Sequence, residues 1–259
     1  MKRILAISMV GLIGSMVAAG CSPEPKRAPT AVAPGLSSAP AATDPMETLR
    51  AGLTFPDSVS FRSDVDVFGQ LSIVSRMDSP RRRAASVLKI SGQTLFEVRL
   101  IDDSVYLRAA PESDLPGAGD DWLELDPERV PAGFKVGFET GQNDPGGTSR
   151  LIEAITSARP TAAGVEGTLD LTQVGTGTGV ALSPEQAAGL GPAGRNAPFE
   201  VAFDTEGRIT SFVVTIKAGD QVAAIKLRYG AFGEAVTVAR PAAGDVVPAP
   251  EEIYGRLGA

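Results

Sequence analysis

Short runs in which apolar and polar residues alternate constrain the fold of this chain more than any other feature of its sequence. Within residues 59–68, Phe61 and Val65 share one side of such a run, whereas Arg62 and Asp64 occupy the other side. A period of two residues sends successive side chains to opposite faces of a β-strand. The run therefore predicts a strand with one apolar face and one charged face.

Similar runs recur along most of the chain and are separated by short polar segments. They comprise residues 71–73, 86–90, 94–101, 104–109, 165–171, 199–203, 212–216 and 225–229. A tight turn at Asp102-Asp103 and a hairpin loop at Asp204–Arg208 separate neighbouring runs. Strands joined by so few polar residues form antiparallel hairpins. We therefore expect an antiparallel meander with one apolar face and one polar face.

Three segments are candidates to cover the apolar face. Residues 148–155 carry apolar side chains at helical spacing, and Ser183 precedes Pro184 and Gln186 in the pattern of a helix-capping box. A weaker helical pattern runs over residues 46–53. Few short helices and a long sheet predict an α+β fold. We expect a single curved antiparallel β-sheet, a half-barrel, covered on its concave face by a few helices.

The N-terminal residues predict export. Lys2 and Arg3 precede an apolar stretch, and the small residues 18–20 lie directly before Cys21. This arrangement is typical of a lipoprotein signal peptide, residues 1–20, whose removal leaves a cysteine that accepts acyl chains. Acylation of Cys21 would anchor the chain at the outer face of the cell membrane. The alternative is an ordinary cleaved signal peptide followed by an incidental cysteine.

A low-complexity segment begins at the cysteine. Residues 21–45 contain six prolines among Ala, Ser and Thr and almost no large apolar side chain. Such a composition favours an extended, disordered tether. We expect the tether to lead to one folded domain, residues 46–259, which is long enough to bury a core of its own.

The composition argues against catalysis. The chain has no histidine and only one cysteine, which excludes histidine-based triads and histidine-ligated zinc. Removal of the leader with Lys2 and Arg3 leaves 22 basic against 31 acidic residues, a net charge of −9. A surface this acidic disfavours nucleic-acid binding. We predict a protein that is not an enzyme and that uses no metal or cofactor.

Three local motifs leave alternatives open. Trp122 is the only tryptophan, and its surroundings fit either the rim of a cavity or ordinary core packing. Glu124 and Asp126 would suit a carboxylate-based hydrolase, but nothing in the sequence pairs them with a second catalytic group. The three arginines at residues 81–83 form either a solvated hairpin tip or a contact with lipid head groups or a partner.

Several short segments of the sequence occur together in one known group of proteins. Besides the tether and the acylation site at Cys21, they are residues 101–107, 122–127, 148–155, 183–186, 227–233, 236–241 and 245–248. In this order the chain resembles the LppX/LprA/LprF/LprG-type lipoproteins of the actinobacterial cell envelope. The fold of that family is similar to that of the periplasmic lipoprotein carriers LolA and LolB.

The resemblance implies a lipid-binding protein. It implies a hydrophobic cavity that holds the acyl chains of a lipid or lipoglycan, which the protein carries across the cell envelope. The partners would then be this cargo and the membrane, through the lipid anchor, and a membrane exporter is a further candidate. The residues expected to line the cavity are Val65, Val67, Val98, Leu100, Val105, Leu107, Phe199, Phe203, Phe212, Val214 and Ile216 on the sheet, with Leu151 and Ile155 on the covering helix.

The residues alone leave a second interpretation open. The same apolar side chains could close on one another and form a solid core. The protein would then be an envelope interaction or signalling lipoprotein that presents polar loops and carries no lipid. The volume between the sheet and its helices distinguishes the two interpretations.

Overall fold

One β-sheet dominates the described part of the chain, which is residues 44–130, 138, 143–175, 184–218 and 221–257 of a computed structural model. The chain divides into two units, Met1–Ala41 and Ala42–Ala259, and every described strand and helix belongs to the second unit. The predicted leader, Cys21, nearly all of the predicted tether and Ser183 lie outside the described residues. None of the described helices has the length and apolar character needed to cross a membrane.

Twelve strands form the sheet in the described part of the chain. They are β1 (Phe61–Val67), β2 (Leu71–Asp78), β3 (Arg83–Ile90), β4 (Gln93–Ile101), β5 (Ser104–Ala109), β6 (Trp122–Leu125), β7 (Ile155–Thr161), β8 (Gly164–Leu169), β9 (Ala197–Phe203), β10 (Ile209–Ala218), β11 (Gln221–Gly230) and β12 (Val246–Pro248). Their order across the sheet is β12-β6-β5-β4-β3-β2-β1-β11-β10-β9-β8-β7. The curved sheet is unclosed, since β12 and β7 lie at opposite ends of this order.

The strand pairings match the alternation of the sequence. Neighbouring described strands pair antiparallel, with one exception at the edge, where β12 runs parallel to β6. The predicted turn at Asp102-Asp103 joins β4 to β5, and Asp102 adopts a φ of 57°, which Asp tolerates better than most residues. The predicted α+β half-barrel is therefore confirmed. The parallel pair was not expected from the sequence.

Five short helices accompany the described strands. They are α1 (Pro45–Ala51), α2 (Thr148–Glu153), α3 (Pro184–Gly189), α4 (Gly191–Arg195) and α5 (Glu251–Leu257). The start of α1 follows from its sequence, because the Asp44 carboxylate accepts a hydrogen bond from the backbone N–H of Met46 at 2.9 Å. Leu49 of α1 and Leu151 of α2 are buried in one hydrophobic cluster, and Ile253 of α5 is buried in another.

One predicted helix is longer than the structure allows. The helix expected over residues 148–155 ends at Glu153, and Ile155 is the first residue of β7, where it pairs with Leu169. Leu151 and Ile155 satisfy a helical spacing, but a β-branched side chain is equally at home in a strand that finds a partner. The prediction that places Ile155 on the covering helix is wrong.

The two faces of the sheet differ in their cover. The concave face carries the largest cluster of buried residues, which includes Phe61, Phe212 and Leu227 together with α1 and α2. On the opposite, convex face, residues 231–245 cross the sheet, and the Arg99 guanidinium donates a hydrogen bond of 2.9 Å to the Ala239 carbonyl oxygen. The chain then adds β12 to the edge and ends in α5, which packs beside β5 and β6.

Candidate functional site

The concave face of β1 to β4 is organised in four rows of side chains that lie opposite one another across the strands. Row 1 is Phe61, Met77, Ala84 and Leu100; row 2 is Ser63, Ser75, Ser86 and Val98; row 3 is Val65, Ile73, Leu88 and Phe96; row 4 is Val67, Leu71 and Ile90. No residue in these rows carries a charge. A ligand along these rows would therefore meet mainly apolar groups and serine hydroxyls; at the end of row 4 the register also places Gln93 opposite Ile90, past a β-bulge.

Burial decreases from row 1 to row 4. All four residues of row 1 are buried, whereas Ile73, Leu88 and Phe96 of row 3 are half-buried. In row 4, Ile90 is 44% exposed and is one of the large hydrophobic residues that the described surface presents to water. We call the six exposed or half-buried residues of rows 3 and 4 the apolar strip. They are Val67, Leu71, Ile73, Leu88, Ile90 and Phe96.

Packed clusters flank the apolar strip on both sides. Towards β11 and β10, the rings of Phe199 and Phe212 stack with their centroids 5.4 Å apart, and both side chains are fully buried. Towards β6, Leu107 and Leu123 form a cluster with Ile253 of α5. The described helices therefore cover the two flanks of the concave face, and the strip lies between them.

Row 2 places three serine side chains in otherwise apolar surroundings. Ser63 and Ser75 are 1% and 0% exposed, and Ser86 is half-buried. The Ser86 hydroxyl donates a hydrogen bond of 2.7 Å to Ser75 Oγ, while Ser63 Oγ is buried without any hydrogen-bond partner. Buried polar atoms in proteins are nearly always hydrogen-bonded, so Ser63 calls for a physical explanation.

Tyr229 continues row 2 on the neighbouring strand β11, where it lies opposite Ser63. Its hydroxyl group is 2.5 Å from that of Thr148 and also donates a hydrogen bond of 3.4 Å to the Asp144 carboxylate. Burial raises the pKa of the Tyr229 phenol well above its ordinary value, and the negative charge of Asp144 raises it further. Tyr229 is therefore a neutral, hydrogen-bonded member of the packed flank.

The structure places all the predicted sheet residues on the concave face. Val65, Leu100, Phe199, Phe212, Val214, Ile216, Leu107 and the helix residue Leu151 are buried in the packed clusters, whereas Val67, Val98, Val105, Phe203 and Ile155 are half-buried beside them. Of this set, only Val67 belongs to the apolar strip. The strip residues Leu71, Ile73, Leu88, Ile90 and Phe96 were missed, although each occupies an apolar position of a predicted strand.

Sequence reasoning also missed the serine row. A signal was present in β1, where Ser63 falls between Phe61 and Val65 at a position that the alternation assigns to the apolar face. A serine at an apolar position breaks the pattern of the strand. Similar breaks at Ser75 and Ser86 on the next two strands would have located the row once the pairing was known.

Trp122 lies on the convex face and not beside the apolar strip. The guanidinium carbons of Arg99 and Arg108 lie 4.2 Å and 4.7 Å from its ring centroid, and Val238 packs in the same cluster. Such cation–π contacts and 4% exposure indicate ordinary packing for this residue. Of the two alternatives for Trp122, the structure supports core packing and not the rim of a cavity.

Two open grooves are further possible sites in the described part of the chain. A groove of about 410 Å³ between the convex face and the crossing segment is lined by Arg62, Arg76 and Glu234, among others. A second groove of about 420 Å³ lies along Arg159 and Glu166 near the β7 edge. Among the described residues, no group of three or more acidic residues, histidines or cysteines could hold a metal ion.

Comparison with known proteins finds a distant likeness in structure. The chain is similar to the Mycobacterium tuberculosis lipoprotein LppX, with a TM-score of 0.40 and 13% sequence identity over 75% of this chain and 98% of that chain. No protein-family profile matches the chain, and no curated protein sequence matches it. At this distance neither family membership nor a cargo follows from the likeness.

Proposed function

We propose that the protein is an exported lipoprotein, anchored through Cys21, whose domain binds the acyl chains of a lipid and carries the lipid across the cell envelope. The observation that carries the proposal is the apolar strip, which is uncharged, partly exposed and flanked by packed clusters. Each CH₂ group removed from water contributes about 0.8 kcal/mol, so an acyl chain laid along the strip is held without any polar contact.

The sequence supports the envelope part of the proposal. A small-residue sequence before Cys21 is typical of lipoprotein processing, and the proline-rich segment that follows favours an extended tether. An acyl anchor and a flexible tether keep a domain near the membrane while it turns and moves. The concave face can then meet lipids of the same membrane at a high effective concentration.

Binding is tested with the unit of residues 42–259, because its clusters and its sheet are built from its own residues. The ligand is a fluorescent fatty-acyl probe, and the test variants are Ile73→Asn and Leu88→Asn, which lie opposite each other in row 3. Matched controls are Val74→Asn and Val87→Asn, which pair in the same strands on the convex face. All four side chains are half-buried.

We expect the unchanged unit to bind the probe and the two row 3 variants to bind it at least roughly tenfold more weakly, because each places an amide in the apolar strip. The convex-face variants should bind like the unchanged unit. Native mass spectrometry before and after solvent extraction gives a second measure of bound lipid. Absence of any probe binding, or equal losses in all four variants, would refute lipid binding on this face.

Carriage requires a separate measurement. In an assay of fluorescent phospholipid transfer between donor and acceptor vesicles, the unchanged unit should speed the transfer, and Leu88→Asn should not. Binding without faster transfer would keep the lipid site and remove the transport function.

A second candidate function is favoured by the packed flanks. Phe199, Phe212 and Leu227 are fully buried by the protein's own residues, as expected for an envelope interaction or signalling lipoprotein with a closed core. That function predicts a single ligand-free mass and no uptake of the acyl probe. The binding experiment therefore separates the two candidates.

A further inference from the structure

The serine row of the concave face is not required by the fold. Ser63, Ser75 and Ser86 lie on three successive strands, and the residues before and after them on the same face are apolar. An alanine at each position would keep the strand pairing and would leave no hydroxyl group to satisfy. Three neighbouring serines at positions where the strand pattern predicts apolar residues indicate a role other than core packing.

The hydrogen-bonding capacity of the row is only partly used. Ser63 Oγ, on a side chain that is 1% exposed, has neither a donor nor an acceptor as partner. Ser75 and Ser86 share one hydrogen bond of 2.7 Å, so one of their two protons has no acceptor within this pair. The row can therefore donate hydrogen bonds to a group that enters the concave face.

The position of the row connects it to the apolar strip. Row 3 lies two residues further along each strand than row 2, a distance of about 6.6 Å. Ser86 of row 2 pairs with Val98, and both of these side chains are only half-buried. A molecule whose chain lies along Ile73 and Leu88 would bring its end to the serines. The tail and the polar group of such a ligand would thus meet two different parts of one face.

The residues around the serine row favour an uncharged polar group on the ligand. None of the residues in the four described rows is charged, so a carboxylate or phosphate at this depth would lose its hydration without gaining a cationic partner. A neutral carbonyl oxygen accepts hydrogen bonds from hydroxyl groups at a much smaller desolvation cost. An ester carbonyl satisfies both conditions.

We infer that Ser63, Ser75 and Ser86 form a polar subsite that holds the ester carbonyl of a bound acyl lipid. This inference rests on the proposed function and adds to it the chemical class of the ligand, an ester rather than a free fatty acid or a hydrocarbon. The acyl chain then lies on the apolar strip, and the linkage between chain and head group lies at row 2.

The inference is tested with three probes of equal chain length: methyl palmitate, palmitate and hexadecane. The unit of residues 42–259 should bind methyl palmitate most tightly. Ser63→Ala should weaken the binding of methyl palmitate by roughly three- to tenfold, the worth of one neutral hydrogen bond, and leave hexadecane binding unchanged. Ser72→Ala, on the convex face of the same strand as Ser75, is the matched control and should change neither.

Thermal unfolding shows whether the variant acts through the ligand or through the fold. Because Ser63 Oγ has no partner, Ser63→Ala should raise the melting temperature of the ligand-free unit while it weakens ester binding. Equal ester-to-hexadecane preference in the unchanged unit and in Ser63→Ala and Ser75→Ala would overturn the subsite and leave the lipid-binding proposal intact. Failure of the unchanged unit to bind any of the three probes would overturn both.

Discussion

The hydroxyl groups of Tyr229 and Thr148 lie 2.5 Å apart inside the packed part of the concave face. Burial raises the pKa of Tyr229, and Asp144 adds to the shift, so the folded protein keeps the phenol neutral at a pH where the unfolded chain has lost the proton. Below the ordinary tyrosine pKa both states are protonated, and the contact contributes its full stability.

We therefore expect the free energy of unfolding to fall as the pH rises above about 10, the usual pKa of tyrosine. The loss from Tyr229 should follow a slope of up to about 1.4 kcal/mol per pH unit until the raised pKa is reached. Urea unfolding at a series of pH values measures the slope, and Tyr229→Phe should have a smaller one. Parallel curves for the two proteins would contradict this assignment.

Two leucines of one cross-strand row, Leu227 and Leu88, should contribute differently to the free energy of unfolding. Leu227 and Leu88 lie in the same row across β11, β1, β2 and β3, but Leu227 is 0% exposed and Leu88 is half-buried. Leu227→Ala should lower the free energy of unfolding by about 3–5 kcal/mol, because it leaves a cavity, and Leu88→Ala by about 1–2 kcal/mol. Chemical denaturation of both variants checks the difference. Equal losses would show that the strip is packed as tightly as its flank.

Gly164 should tolerate no side chain. It begins β8 with a φ of 151°, and a Cβ atom there would lie 1.9 Å from the Val201 carbonyl oxygen of the paired strand. Gly164→Ala should cost roughly 2 kcal/mol or more, since backbone must move. Gly244→Ala is the control, because its Cβ would meet nothing within 4 Å, and it should change stability by less than about 0.5 kcal/mol. A neutral Gly164→Ala would mean that the β7–β8 hairpin can move away from β9.

The single tryptophan should report unfolding but not ligand binding. Trp122 packs between Arg99 and Arg108 on the convex face, whereas the proposed ligand lies on the concave face. Its emission should stay unchanged when an acyl probe binds and should shift to the red when the domain unfolds. A shift of the emission on probe binding would place the ligand near β6 instead of on the strip. Val247→Ser, at an exposed site of the β12 edge, is the control.

The hairpins of the sheet were predictable because their signals are local. Alternation over residues 94–101 and 104–109 with Asp102-Asp103 between them specifies a pair of strands without reference to the rest of the chain. The same locality produced the error at Ile155, whose helical spacing from Leu151 carries no information about its strand partner Leu169.

The remainder of the fold depends on contacts between distant segments. Nothing in the sequence of Val246–Pro248 shows that it lies parallel to β6, and nothing around Trp122 shows that residues 231–245 cross above it. The candidate site was predicted in part. Strand periodicity tells on which face of the sheet a residue lies, but not whether other parts of the chain pack over it. Half-burial of Leu88 and the lack of a partner for Ser63 are properties of the assembled sheet.

The pairing of β1 with β11 bears on when this protein can fold. Within β1 to β6, and again within β7 to β11, each strand pairs with strands that are its neighbours in sequence. The β1–β11 pair instead brings Val65 opposite Leu227, two residues near opposite ends of the domain sequence. Closing so long a loop is slow compared with forming hairpins. The apolar face can be sheltered only after most of the chain has been synthesised. We expect the chain to emerge from the ribosome as loose hairpins that join into one sheet only after synthesis is nearly finished.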